Sequence, residues 1–439
     1  MEFREFLGQL GKSGELVDVK KEVSTNLEMS GVLKALDGRP VLFEKVKGSQ
    51  FRVAGNVFST RELIAKALGM RKEELVQKML KAVEKPVAPG KYAGAGSAPC
   101  QEVVMDDVDL SKIPILTHCE KDGGPYISSG VVFAVDKEHG RNCSFHRGMV
   151  IGKNRIVLRI LPRHLNEFIK RNGGELDVAM CIGLPANALL AGATSVEIGV
   201  DELGIANALG GIGSVKTVKC KSVDVEVPAD SEFVLEGRIT KELHAEGPFV
   251  DLTETYDIVR EQQVFEVRKI THRKDAIYHA LLPGALEHKM MMGMPREPTI
   301  FREVGKVCDC ADVCITPGGC SWLHGVVAIR KKDAADGRKA IDAAFRGHHS
   351  MKHVVIVDAD IDPSDPAAVE WAIATRFQFS EATVMSKREA GSSLDPSADP
   401  KTRETSKVGI DATGQAKKDG EGKAFGRAEF PKVDVSKYL

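Results

Sequence analysis

The chain has 439 residues, 43% hydrophobic and 28% charged, with 61 Lys and Arg against 62 Asp and Glu. At ~150 residues per domain this suggests about three globular domains rather than a disordered chain, and a formal net charge of −1 gives no electrostatic footprint for nucleic acid. No apolar run of about 18 residues marks a membrane helix, the charged start lacks an apolar secretory core, and the nine scattered cysteines read as reduced thiols of a cytoplasmic protein. Neither nucleic acid nor a membrane is expected as a partner.

Taken in chain order, residues 5–10 are predicted helical, and 15–19, 40–43 and 52–57 extended. Residues 60–68 and 72–82 have helical spacing, with Leu75, Met79 and Val83 on one face. The Pro-, Gly- and Ala-rich residues 86–99 predict a loop and a domain boundary. From 101 to about 293 the signals are mostly β: 129–135, 149–151, 155–161, 176–182, 215–220, 223–227, 233–237, 253–259 and 264–270, interrupted by a helix over 164–171. Many strands with few long helices suggest a barrel or packed sheet. From 299 onward, strands over 310–315, 324–330 and 353–357 alternate with helices over 333–345 and 367–376, which predicts an α/β unit. Residues 404–427 are polar and read as a loop.

Several chemical motifs can be set aside. Cys308, Cys310, Cys314 and Cys320 do not have zinc or iron–sulfur spacing and read as strand and turn residues. Asp358, Asp360 and Asp362 start like a calcium loop, but Pro363 stands where Gly is needed and Val369 where Glu is needed, so they read as an acidic turn. Gly210, Gly211 and Gly213 form no nucleotide fingerprint, and P-loop and nucleophile-elbow motifs are absent. Three segments keep more interest. RNCSFHR (141–147) and RILPRH (159–164) gather cationic groups after strands, while ELHAEGPFVDLTE (242–254) places Glu246 and Asp251 across a Gly–Pro turn that cannot continue a helix.

Together with PILT (114–117), DGGPYI (122–127), VIGKN (150–154), DELGIANAL (201–209), the whole of 232–251, ITHRKDAIYH (270–279), WAIATR (371–376) and SKVGIDAT (406–413), these segments resemble, in order, the UbiD family of prenylated-flavin-dependent decarboxylases. The resemblance implies an α/β multi-domain fold: an N-terminal α/β domain over 1–100, a central flavin-binding split β-barrel over 101–295, and a C-terminal α/β domain over 296–439 that serves a homo-oligomer. It implies prenylated FMN, supplied by a flavin prenyltransferase, held through its phosphate and a divalent ion such as Mn²⁺, with K⁺ beside it. The implied metal ligands are Asn142, His164 and Glu202, a donor set that suits such an ion. Lys407 is the implied phosphate contact, and Arg163, next to the metal histidine, is placed to reach cofactor or substrate.

The implied catalytic trio is Arg147, Glu246 and Asp251. Arg147 is expected to pin a substrate carboxylate, Asp251 to protonate carbon after CO₂ leaves, and Glu246 to tune both. Loss of CO₂ needs an electron sink that no side chain supplies, hence the cofactor. Within the family, the short chain and the stretch GSSLDPSA (391–398) resemble archaeal members that convert trans-anhydromevalonate 5-phosphate to isopentenyl phosphate. Arg163, Lys387 and Arg388 are then candidate phosphate anchors. An aromatic, 4-hydroxybenzoate-type acid is the alternative substrate. A non-catalytic flavin-binding protein is the alternative class, and it would have no use for the intact trio.

Overall fold

The computed structural model describes residues 1–386, 388–414, 430–431 and 433–437. Lys387 and residues 415–427 of the expected loop lie outside the described residues.

The helix Phe3–Lys12 forms because Phe3, Phe6, Leu7 and Leu10 recur on one face, and all four are buried. Its capping box joins Glu2 and Glu5. The helix Arg61–Leu68 starts at Thr60, whose hydroxyl accepts the Leu63 N–H, and ends at Gly69 in the left-handed region. The helix Glu28–Ala35 was not foreseen. The N-terminal sheet runs Val17–Val19, Val41–Phe43, Arg52–Gly55 and then Ile277–Ala280. Its fourth strand therefore comes from far along the chain and pairs parallel with Arg52–Gly55.

Among the described residues the central sheet has nine strands. Its order is Tyr126–Ile127, Gly148–Gly152, Arg155–Leu158, Arg260–His272, Phe233–Glu246, Leu176–Ile182, Val131–Asp136 and Gly140–Phe145, with Val103–Met105 added on Arg260–His272. The end strands Tyr126–Ile127 and Gly140–Phe145 are not paired to each other, so the sheet stays open and is not a closed barrel. The long strand pair Phe233–Glu246 and Arg260–His272 shifts register at Glu236/Gly237, where a Cβ on Gly237 would overlap the Glu266 carbonyl oxygen. The helices Ala186–Ala193 and Glu202–Leu209 were missed in the sequence because nearly every residue in them is buried, which leaves no amphipathic stripe.

The first two units share their cores. Phe3, Phe6, Phe58, Leu75 and Met79 pack with Leu189, Leu190, Leu203 and Met290. Met29, Phe43 and Phe51 pack with Met180, Leu235, Phe265 and Tyr278. The C-terminal sheet, Asp309–Ile315, His324–Arg330, His353–Asp358, Val408–Asp411 and Thr383–Met385 in that order, has its own cores. One face packs Val327, Ile329 and Ile356 against Ile300, Val304 and Ile341. The other packs Val326, Ala328 and Val355 against Ala368, Val369 and Ala372. Cys310 and Cys314 are buried on the first of these strands. In the acidic turn after His353–Asp358, Arg376 binds Asp358 at 2.7 Å and Asp360 at 2.8 and 2.6 Å. A buried ion pair, Arg61–Glu297 at 2.6 Å, ties the N-terminal helices to the C-terminal unit. Among the described residues no helix is long and apolar enough to cross a membrane.

Burial sets an acid limit on this fold. It depresses His118 and, with help from the Arg296 charge, His348 to about 3, and His324 to about 4. In the unfolded chain each ring titrates near ~6.5. Between those values the unfolded state binds more protons, so stability is complete above pH ~6.5 and falls as pH falls. Urea unfolding at pH 7 and pH 5 is expected to show a loss of roughly 2 kcal/mol per buried ring. A stability unchanged across that window would contradict this account.

Candidate active site

Arg147 sits between the strands Gly140–Phe145 and Gly148–Gly152. The strand Phe233–Glu246 ends on Glu246, opposite Arg260. After Gly247 and Pro248 the chain forms a small hairpin, Phe249–Val250 with Tyr256–Asp257, which carries Asp251 and Asp257 back toward Arg147. Arg147 donates from Nε to Glu246 Oε1 at 2.9 Å and from Nη2 to Glu246 Oε2 at 3.1 Å. Nη2 also donates to Asp257 at 3.0 Å, and Nη1 to Asp251 Oδ2 at 3.3 Å. Four bonds on five N–H donors leave one Nη1 hydrogen. A two-pronged grip on a substrate carboxylate, as the sequence suggested, is therefore not available in this arrangement.

Glu246 is fully buried and also accepts the Tyr126 hydroxyl at 3.0 Å. The Arg147 guanidinium lies over the Phe249 ring at 5.1 Å. Burial alone would lower the Arg147 pKa, but Glu246, Asp251 and Asp257 hold it above its ordinary value. Burial works against the Asp257 carboxylate too, yet Arg260 and Arg147 bring it below the usual range. Asp251 differs from its neighbours. It is the most open of the three carboxylates, 24% exposed against 0% for Glu246 and 17% for Asp257, and its other oxygen accepts its neighbour Leu252 N–H at 2.7 Å. His288 stands close by. Burial lowers its pKa, Asp251 opposes that shift and Arg147 adds to it. Its Nδ1 accepts the Gly284 N–H at 3.0 Å, which leaves its proton on Nε2.

A second cluster joins strand Gly140–Phe145 to the start of helix Glu202–Leu209. Arg141 forks onto Asp201, whose carboxylate also caps the helix at Leu203. One residue on, Asn142 Nδ2 donates to Glu202 Oε1 at 2.8 Å and the Cys143 N–H to Oε2 at 2.9 Å. Burial pushes Glu202 up to about 7 despite those donors, and the Asp201 charge adds to the rise. Among the described residues no Lys, Arg or His pairs with Glu202. His146 donates from Nδ1 to the Arg159 carbonyl at 3.0 Å, so its Nε2 takes the Ser144 hydroxyl proton at 3.0 Å. Ser144 then has no proton left for Asn142 Oδ1, 3.3 Å away. A buried carboxylate without a cation beside a buried amide oxygen without a donor fits a hard divalent cation.

The structure thus brings together Arg147, Glu246 and Asp251, and separately Asn142 and Glu202. His164 begins the helix His164–Arg171, and no hydrogen bond or ion pair joins it to Asn142 or Glu202; burial and Arg163 lower its pKa. Among the described residues no three His, Cys, Asp or Glu side chains form a ready metal cage. Lys407 is buried in the C-terminal unit, donating to the His349 carbonyl at 2.7 Å and lying 3.7 Å from Glu389. Arg163 is exposed, and its hydrogen bond, to Ser195 Oγ, is 3.4 Å long. The sequence gave no role to Asp257 or His288. Tyr126 was visible only as part of DGGPYI.

Comparisons with known proteins identify the family. Family models for the N-terminal, Rift-related and C-terminal domains of 3-octaprenyl-4-hydroxybenzoate carboxy-lyase match residues 7–83, 91–286 and 289–412. The chain belongs to the UbiD family of carboxy-lyases. It is 42% identical over 416 residues to the anhydromevalonate phosphate decarboxylase of Methanothermobacter thermautotrophicus, covering 93% of this chain and 96% of the relative. It is 43% identical over 419 residues to that of Methanosarcina mazei, covering 94% and 96%. The UbiD-class enzyme HmfF from Pelotomaculum thermopropionicum, solved in complex with FMN, superposes with a TM-score of 0.94 at 38% identity over 100% of both chains. An evolved dimeric form of it in complex with prenylated FMN superposes at 0.90 and 37% identity, again over 100% of both.

The turn that delivers Glu246 leans on Gly123, whose N–H donates to the Pro248 carbonyl at 2.9 Å. A Cβ there would strike the Gly247 carbonyl and come within 2.7 Å of Met149 Sδ, whereas one on Gly124 would meet nothing closer than 3.4 Å. Gly123→Ala is expected to cost about 1–3 kcal/mol in stability and to displace the Glu246 corner, with Gly124→Ala nearly silent. Thermal melts of the two variants check this, and equal melting temperatures would refute it.

Proposed function

We propose that this chain is a prenylated-FMN-dependent decarboxylase that converts trans-anhydromevalonate 5-phosphate into isopentenyl phosphate and CO₂ in the archaeal mevalonate route. The Arg147–Glu246–Asp251 cluster carries the reading: an open carboxyl group anchored on a buried guanidinium is what a decarboxylase needs to return a proton to carbon. Identity above 40% over nearly the whole chain to enzymes named for that substrate supports the same choice.

When bound, prenylated FMN supplies the electron sink for loss of CO₂. The chain's own groups supply the rest. Asn142 and Glu202 would hold a divalent ion, Mn²⁺ by donor type, with His164 as third ligand, Lys407 toward the cofactor phosphate and K⁺ alongside. Arg163 is assigned to an anion of cofactor or substrate. The remaining Nη1 hydrogen of Arg147 meets the substrate carboxylate at one point, while Glu246 and Asp257 fix the plane of the guanidinium. Asp251, held by the other Nη1 hydrogen, donates its proton to the carbon that lost CO₂ and is recharged from solvent through its exposed edge. The reading includes a cytoplasmic homo-oligomer with domains at 1–100, 101–295 and 296–439, loaded by a flavin prenyltransferase.

CO₂ release from the phosphorylated acid, from its dephosphorylated analogue and from 4-hydroxybenzoate tests the substrate, and turnover of the aromatic acid alone would sink the proposal. Asp251→Asn is expected to fold and retain flavin while kcat falls by ~10²-fold or more; a near-normal kcat would move the proton to Glu246. Glu202→Gln is expected to strip the divalent ion, read by elemental analysis, with the fold intact. Metal retained at the wild-type ratio would remove Glu202 from the ligand set.

A further inference from the structure

Among the described residues, the most deeply buried arginines are neutralised: Arg61 by Glu297, Arg147 by three carboxylates and Arg376 by Asp358 and Asp360. Arg296 is not. It ends the turn Met294–Arg296 that leads into helix Glu297–Gly305. Its guanidinium lies over the Trp322 ring at 5.3 Å. Its Nε is buried with no hydrogen-bond partner, and no carboxylate pairs with it among the described residues. Burial, helped by the nearby charge of Arg163, lowers its pKa to about 10.

The surroundings add positive charge. His348 packs edge-on to Trp322 at 4.6 Å and donates from Nε2 to the Trp322 carbonyl at 3.0 Å. It feels the charges of both Arg296 and Lys407. Arg163 in turn acts on His146, the residue before Arg147; the His146 ring takes the Ser144 hydroxyl proton. Arg163 is thus near enough for its charge to reach both Arg296 and His146. A desolvated cation with no partner is costly. Stacking on Trp322 covers the face of the guanidinium and leaves its edge of N–H donors, the geometry that takes a phosphate through two parallel hydrogen bonds.

We propose that Arg296, assisted by Arg163, is the subsite for the phosphate monoester of the substrate, set apart from the Arg147 cluster that handles the carboxylate. This deepens the function proposed above and rests on it for the identity of the ligand. A phosphate at Arg296 and a carboxylate at Arg147 bind the two ends of one small acid, so the subsite fixes which carbon faces Asp251.

The test uses the flavin-loaded enzyme with inorganic phosphate and isopentenyl phosphate as calorimetric probes, and kinetics with the phosphorylated and dephosphorylated acids. Arg296→Gln is expected to weaken both probes and raise KM for the phosphorylated acid by about 10- to 100-fold, the scale of a charge-assisted bond. The preference for the phosphorylated acid should fall by the same factor, with the flavin-to-protein ratio and melting temperature held. Arg296→Lys should recover part of the loss and Arg163→Gln should show a smaller one. Unchanged probe binding in Arg296→Gln and Arg163→Gln overturns the proposal. So does loss of flavin from Arg296→Gln, which would assign the guanidinium to the cofactor phosphate. If the phosphorylated acid is not turned over but phosphate binding still depends on Arg296, the subsite stands and the substrate reading fails. If it is turned over with an unchanged KM in Arg296→Gln, the reverse holds.

Discussion

The site depends on one antiparallel ladder. The strands Phe233–Glu246 and Arg260–His272 pair from Phe233↔His272 to Glu246↔Arg260, and their far end is where the chemistry sits. Because side chains alternate across a strand, a slip of one residue would turn Glu246 from the buried face to the other. Register shifts at Glu236/Gly237 and between Ile239 and Leu243 set where the far end of the ladder falls. The turn and hairpin that follow then have few ways to go. They return Asp251 and Asp257 to Arg147, itself held between two strands of the same sheet. The sheet is open rather than closed, and it is along its strand ends that these groups meet.

Electrostatics supplies the second constraint. Burial penalises every charge, and the fold answers with partners almost everywhere: Arg61 with Glu297 across units, Arg376 with two aspartates, Arg147 with three carboxylates. Among the described residues, two of the charges left without a counter-ion have opposite sign. Glu202 is a buried carboxylate that lacks a cation, and Arg296 a half-buried guanidinium whose buried Nε lacks a partner. The same low-dielectric argument that predicts a metal at the first predicts an anion at the second. Glu202 stands at a helix N-terminus, which favours its ionised form but does not replace a counter-ion.

Much of this was legible in the sequence, and the failures have physical causes. Strands with β-branched runs, such as Leu176–Ile182 and His324–Arg330, and the amphipathic helix His164–Arg171 were read to the residue. Helices Ala186–Ala193 and Glu202–Leu209 were not, since buried all round they have no period to see. Residues 253–259 read as one strand because they are rich in β-formers, yet only Tyr256–Asp257 pair there. The Gly–Pro reading between Glu246 and Asp251 was correct in its consequence: both carboxylates reach Arg147. Asp257 and Arg296 gave no sign, because a single Asp or Arg in a polar segment looks like solvated surface until the fold shows what surrounds it.

The segment 159–164 shows why these subsites cannot be treated separately. The Arg159 carbonyl fixes the His146 tautomer, and through Ser144 that tautomer leaves Asn142 Oδ1 free for a cation. The Arg159 guanidinium lies 3.8 Å from Asp257, in the catalytic cluster. Four residues on, the Arg163 charge acts on the unpaired Arg296, and His164 opens the next helix. One short loop after a sheet strand thus bears on the Arg147 cluster, on the Asn142–Glu202 pair and on Arg296. Because Arg159 N–H also donates to the Arg147 carbonyl at 3.1 Å, the loop is anchored to the link that follows the Asn142 strand and carries Arg147. Arg147, Asn142 and Arg163 are therefore positioned against one backbone reference. On the function proposed above, a molecule with a reacting acid at one end and a phosphate at the other needs that fixed spacing, and an adaptable set of surface loops would not provide it.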